Sequence, residues 1–301
     1  MGSSKILDDP SITQSNFSWF VKAGRFVKVR GPVLDRELRC PMKWREVSGN
    51  WLLIPPRPIA IVHFLGGAFV ASAPHLTYRQ LLETVAKQGY LIVATPFINT
   101  FDHRAIAQEV HITFGQAMHY LQNRVLQGRD LPIYGIGHSM GCKVHLLLNS
   151  LYDGQRAGNL LMAFNNYSAK RSIPLLDQVM AMSPSLRVEF TPSPAATLGI
   201  IRDRYEVGRN LLVKFRRDDI DQTRALSEVL VRKFPDFTEV QIMPGTHTTP
   251  LVQDPPWRPG SSFSALDAVG QFVKQELTRD LQQLQDLVLQ WLDPRSDRQW
   301  R

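Results

Sequence analysis

Short apolar runs alternate along this chain with longer stretches whose apolar residues recur every three or four positions. The runs are "PIAIVHF" (58–64), "LIVATPF" (91–97), "LPIYGIG" (131–137), "NLLMAFNN" (159–166), "NLLVKF" (210–215) and "TEVQIMP" (238–244). Each has the length of a strand, and the most continuous ones predict strands buried on both faces. "NWLLIPP" reads as a shorter strand stopped by Pro55 and Pro56, and "RFVKVR" as the one strand signal before it. "LTYRQLLETVAKQGY" sets Leu81, Leu82 and Val85 at helical spacing and stops at Gly89. Residues 104–127, 140–150 and the stretch "TRALSEVLVRKF" also read as helices. Such alternation predicts an α/β fold, a mainly parallel sheet with helices on both faces. Right-handed crossovers then gather the strands' C-terminal ends on one rim, where ligands bind.

Two stretches depart from the alternation. Residues 167–209 hold Pro174, Pro184, Pro192 and Pro194 and no strand of the apolar kind. They are too long for a simple crossover and read as an inserted cap, or as an irregular loop-and-helix segment. Near the end, Leu266, Val269, Val273, Leu277, Leu281, Leu284, Val288 and Trp291 draw one apolar stripe along a long helix. Its first half is expected to pack on the sheet. The second half, within 277–301, reads as an extension that either docks a partner or covers the chain's own N-terminal segment. The whole of 1–301 is read as a single domain.

Composition changes this picture little. With 301 residues, 44% hydrophobic and 21% charged, the chain is ordinary globular material. The formal net charge of +8 is diffuse, with "RDRYEVGRN" one local cluster. It reads as a solvated basic face, with peripheral contact to an anionic membrane surface as the alternative. No helix-turn-helix, zinc-finger or RNP-like segment is present, so nucleic acid is not an expected partner. No apolar run reaches the roughly 18–20 residues of a membrane span. "MGSSKILDDP" lacks the apolar segment of a secretory leader, and Ile6 stands where a myristoylation site needs Ser or Thr. A protein of the cell interior is the expectation. Cys40 and Cys142 form no disulfide framework or zinc spacing, and Cys142 reads as a small buried thiol.

The chemistry centres on "YGIGHSMGCKVHLLL" (134–148), where Ser139 sits between Gly137 and Gly141 as an apolar strand turns into a helix. Gly-x-Ser-x-Gly arises by accident in roughly one chain in ten of this size, so context must carry it. A nucleophilic serine of this type needs a buried strand, a sharp turn and a helix, with small residues flanking the apex. All are present, and the helix start leaves the Met140 amide free for an oxyanion. "HFLGGAFV" follows an earlier strand and offers the amides of Gly67 and Ala68 as further donors. In this arrangement the chain order is Ser, then Asp or Glu, then His. Of eight histidines, His63, His75, His103, His111, His119 and His138 precede Ser139, and His145 lies inside the following helix. His247, in "MPGTHTTP" just after the last strand run, is the one left as base. The acid is sought after the penultimate run, in "NLLVKFRRDDIDQT". Asp218 is preferred, Asp219 is next, and Asp221 is read as a helix cap. No metal or cofactor is expected to be needed.

Together these residues resemble the α/β-hydrolase superfamily. The stretches "HFLGGAFVASAPHLTYRQLLETVAKQGYLIVATPF", "FDHRAIA", "GHSMGCKVHLLL" and "NLLVKFRRDDIDQT" are similar, more narrowly, to a family of cyanobacteria and chloroplasts catalogued as domain of unknown function 1350. The resemblance spans roughly residues 15–290. It implies an α/β-hydrolase fold and a photosynthetic lineage, hence cyanobacterial cytoplasm or chloroplast stroma, but no substrate. On the superfamily pattern Ser139, Asp218 and His247 carry over as a triad, with Ala68 and Met140 as oxyanion donors. Leu65 stands where the esterase His-Gly-Gly-Gly loop has its histidine, so that loop is held in another way. The reading is a serine hydrolase of carboxylic esters or thioesters, with an apolar, lipid-like acyl group suggested by the cap. The alternatives are a non-catalytic binding or assembly protein of the same fold, and an acyltransferase.

Overall fold

The computed structural model describes residues 17–22, 25–30, 42–152, 154–168, 189–251 and 265–293. The chain divides into two compact units, Met1–Met42 and Lys43–Arg301, where the sequence suggests one domain. In the first, β1 (Phe17–Lys22) and β2 (Arg25–Arg30) pair antiparallel, with Phe17 opposite Arg30. β2 is the expected "RFVKVR" strand; β1 has no counterpart in the sequence reading.

The second unit is built on one eight-stranded sheet. Its strands are β3 (Arg45–Val47), β4 (Asn50–Leu53), β5 (Ala60–Leu65), β6 (Tyr90–Ala94), β7 (Ile133–His138), β8 (Gly158–Met162), β9 (Asn210–Arg217) and β10 (Thr238–Thr246). Their order is β10-β9-β8-β7-β5-β6-β4-β3. From β10 across to β6 every pair is parallel; β4 runs antiparallel to β6, and β3 antiparallel to β4. β5, β6 and β8 are buried at every position. That is why their apolar runs show no alternation. β10, at the edge, alternates instead and exposes Val240 and Ile242.

The helices follow the crossovers: α1 (Pro74–Thr77), α2 (Arg79–Lys87), α3 (His103–Leu121), α4 (Met140–Leu151), α5 (Pro194–Arg204), α6 (Thr223–Lys233) and α7 (Ala265–Leu292). Asp102 starts α3 by accepting from the Ala105 amide, and α3 runs on into a π turn at Gln122–Leu126. On one face of the sheet, Leu65 packs with Ile106 and Val110 of α3 and Val144 of α4. Leu161 and Leu212 pack there with Leu146, Ile201 and Leu226, from α4, α5 and α6. This mostly parallel sheet with helices on both faces is the α/β-hydrolase fold.

Two stretches stand outside the alternation. Residues 194–204, inside the stretch read as a cap, form α5, the helix that carries the chain from β8 to β9 and packs on α4 and α6. Residues 169–188, the rest of the expected cap, lie outside the described residues. The second half of α7 does not project: Leu281, Leu284, Val288 and Trp291 are buried. The Trp291 ring occupies the space beside Gly158, where a Cβ would come within 2.9 Å of it, and stands edge-on to Tyr134. Tyr90 Oη donates to the Leu292 carbonyl at 2.8 Å. The side chains of α7's first half lie outside the described residues. Among the described residues no helix is long and apolar enough to cross a membrane.

Candidate active site

Ser139 stands at the junction of β7 and α4 with φ 54° and ψ −119°. A non-glycine residue pays on the order of 1–3 kcal/mol for such a backbone, and the packing around it must hold it there. A Cβ on Gly137 would lie 2.8 Å from the Cys142 amide nitrogen, and one on Gly141 would lie 2.6 Å from the Gly66 carbonyl oxygen. Strand, turn, helix and the loop after β5 therefore approach as closely as they do only because both flanking positions lack side chains. The Ser139 amide donates to the Met162 carbonyl at 2.9 Å, tying the apex to the end of β8.

His247 Nε2 lies 2.9 Å from Ser139 Oγ, and His247 Nδ1 lies 2.8 Å from Asp218 Oδ2. The turn after β10 delivers the imidazole. The β10–β9 register shifts between Met243 and Thr246, and Thr249 Oγ1 accepts from the Thr246 amide at 2.8 Å. Asp218 leaves the end of β9 with its side chain fully buried, and its Oδ1 accepts from the Ile220 amide. Burial alone would raise this carboxyl. The hydrogen bond and charge of His247, the Ile220 amide and Lys214 outweigh burial and hold it below its ordinary 3.8. An ionised Asp218 only accepts, so Nδ1 carries the imidazole proton and Nε2 is left to accept from the Ser139 hydroxyl.

Of the other acids, Asp219 is exposed and Asp221 accepts from the Thr223 amide and hydroxyl at the start of α6, while pairing with Lys214. His145 hydrogen-bonds Ile136 O beneath the sheet, and His75 stacks on Trp51. The Cys142 thiol is buried and donates to Met162 O; Cys40 lies outside the described residues.

The amides of Ala68 and Met140 bond no other described residue, and both residues line the cavity beside Ser139. Gly67 does not share that freedom: its amide donates to Tyr78 Oη at 2.7 Å. Tyr78 Oη lies 2.7 Å from His138 Nδ1, and His138 Nε2 lies 2.8 Å from the His247 carbonyl oxygen. A carbonyl only accepts, so Nε2 carries the His138 proton and Nδ1 accepts a hydrogen bond from the Tyr78 hydroxyl. Burial, with the charge of His247 second, pushes His138 down to about 3, so this ring stays neutral. One chain of donors thus runs from the loop after β5 to the loop after β10, and it holds the Gly-Gly loop where Leu65 has no polar group to do so. Tyr78 and His138 were not legible in this role, because nothing in their neighbourhood of the sequence marks it. Tyr78→Phe is expected to leave the Gly67 amide unpaired, at about 1–3 kcal/mol. Thermal melting and kcat/KM on a nitrophenyl ester would both fall; an unchanged kcat/KM would remove this role.

The site opens into a cavity of about 580 Å³ lined by Phe69, Val70, Phe101, Phe190 and Leu251 among the apolar groups. Lys143 and His103 also line it, and sequence reasoning gave neither a part. Among the described residues no three His, Cys, Asp or Glu side chains gather as metal ligands.

No curated protein sequence matches the chain. Solved structures that resemble it include the esterase Pf2001 of Pyrococcus furiosus, with 16% identity and TM-score 0.48 over 87% of this chain and 98% of that one. Carboxyl esterase 2 of Tuber melanosporum has 15% identity and TM-score 0.48, over 80% and 87%. Both likenesses are too distant to carry chemistry across. The model of the family described as "Protein of unknown function (DUF1350)" matches residues 43–294, which include Ser139, Asp218 and His247, and the chain belongs to that family.

Proposed function

We propose that the protein is a serine hydrolase acting on a carboxylic ester or thioester. The observation that carries this reading is the relay of Ser139, His247 and Asp218 at 2.9 and 2.8 Å, with the serine at a backbone-strained apex beside a cavity. In the first step Ser139 Oγ bonds to the substrate carbonyl carbon while its proton passes to His247 Nε2. Asp218 stabilises the imidazolium and keeps its orientation. The carbonyl oxygen takes the negative charge and is met by the Ala68 and Met140 amides. The C–O or C–S bond then breaks, the leaving group takes the proton from Nε2, and an acyl-Ser139 ester remains. Water, deprotonated by His247, attacks that ester and releases the acid.

A cavity of about 580 Å³ suits a small or medium acyl group and its leaving group. Transfer of the acyl group to an acceptor other than water would use the same residues. A fluorophosphonate is the direct test of the nucleophile. The folded protein is expected to take up one equivalent, with the mass gain on the peptide holding Ser139. Absence of that adduct overturns the reading.

A further inference from the structure

The cavity beside Ser139 carries a charge that a simple ester has no use for. Lys143 stands one helical turn along α4 from Ser139, on the same face, and is 1% exposed. Its ammonium has three donors. To the described residues it makes one hydrogen bond, a long 3.4 Å contact with the Pro192 carbonyl, and it faces the Phe190 ring at 5.8 Å. Glu189 raises the Lys143 pKa through its charge but is exposed and does not line the cavity. Burial is the larger effect and draws Lys143 down to about 8, which leaves it charged at neutral pH.

His103, at the start of α3, is the second part. It is 3% exposed, stacks on Phe190 at 4.3 Å, and neither ring nitrogen has a partner among the described residues. Burial, then the Lys143 charge, push it down to about 3, so it is a neutral imidazole with one N–H to give. The Asp102 carboxylate beside it caps α3 and does not line the cavity. Among the described residues that line the cavity there is no Asp or Glu. A purely apolar acyl group filling this space would leave a buried ammonium and an unpartnered imidazole with nothing to bond, a costly arrangement.

We propose that Lys143 and His103 form an anion-binding subsite and that the substrate carries a carboxylate a few bonds from its scissile carbonyl. This rests on the hydrolase reading for the word substrate, but the subsite itself does not need turnover. The anion accepts from the Lys143 ammonium and the His103 N–H, and in doing so fixes the ester against Ser139. It replaces the apolar acyl group that the sequence suggests.

Two pairs of esters test it: mono-4-nitrophenyl glutarate against 4-nitrophenyl valerate, and O-butyrylglycolate against ethyl butyrate. The native protein is expected to prefer the charged member of at least one pair by ten-fold or more in kcat/KM, expressed in KM. Lys143→Met brings that ratio to one or below, and Lys143→Arg retains most of it. Should Lys143→Met fail to fold, His103→Phe reads the same ratio and lowers it. Equal rates within both pairs for the native protein overturn the subsite. Binding is read separately by thermal melting with glutarate. Glutarate raises the melting temperature of Ser139→Ala protein and leaves that of Ser139→Ala/Lys143→Met unchanged. If the fluorophosphonate fails to label while glutarate still stabilises, the hydrolase reading falls and the anion site stands. If it labels and glutarate does nothing, the anion site falls alone.

Discussion

Replacing Ser139 by alanine is expected to lower kcat on an activated ester by about five to six orders of magnitude. The size follows from the relay: without Oγ the imidazole of His247 has no proton to take and no acyl-enzyme forms. His247→Ala should cost nearly as much, since the hydroxyl then has no base within hydrogen-bond reach. The double variant should be no worse than either single one, because the two groups act as a unit. Residual rates above that of water are expected from the Ala68 and Met140 amides. The measurement is kcat for all three variants with folding checked by circular dichroism. Losses that multiply in the double variant would mean that the two residues act independently and would dissolve the relay.

The second large effect is structural. Gly141→Ala is expected to destabilise the protein by about 3 kcal/mol, at the upper end of overpacking costs. The added methyl would meet the Leu65 and Gly66 carbonyl oxygens, both backbone, so no side chain can swing away to make room. For a unit of this size the melting temperature should fall by roughly 6–12 °C. Activity should drop further than stability, because relief of the clash moves α4 away from the loop after β5 and so parts the Met140 amide from that of Ala68. A melt indistinguishable from the native protein's would show that the strand, turn and helix do not approach this closely. Gly115→Ala is the control: it lies in α3 with nothing within 4 Å of the added atom.

Much of the sheet was legible because its inner strands must be apolar on both faces, and "AIVHFL" and "YLIVA" can be little else. Ser139 and His247 were legible for a different reason. Chain order and the need for a loop after a strand leave few residues eligible, and both sit where strand signals end. α5 was hidden because its buried positions are few, Thr197 and Ile201, and its small residues draw no stripe. The stripe of α7 was visible, but a stripe does not say what covers it; Gly158 and Tyr134 supply that answer only in three dimensions. Tyr78, His103 and Lys143 carry no local signature at all. Only the fold reveals that Lys143 is enclosed.

The docking of α7 also bears on the order in which the molecule can assemble. Gln285 reaches the Gln80 carbonyl and Tyr90 reaches that of Leu292, contacts that join residues 205 and 202 positions apart. Contacts of such sequence separation form late, after shorter loops have closed. While a nascent chain grows on the ribosome, the sheet face bearing Tyr134 and Gly158 must therefore wait without its cover until Trp291 has been made. Until then that face offers apolar surface through which chains can self-associate or which a holdase can grip.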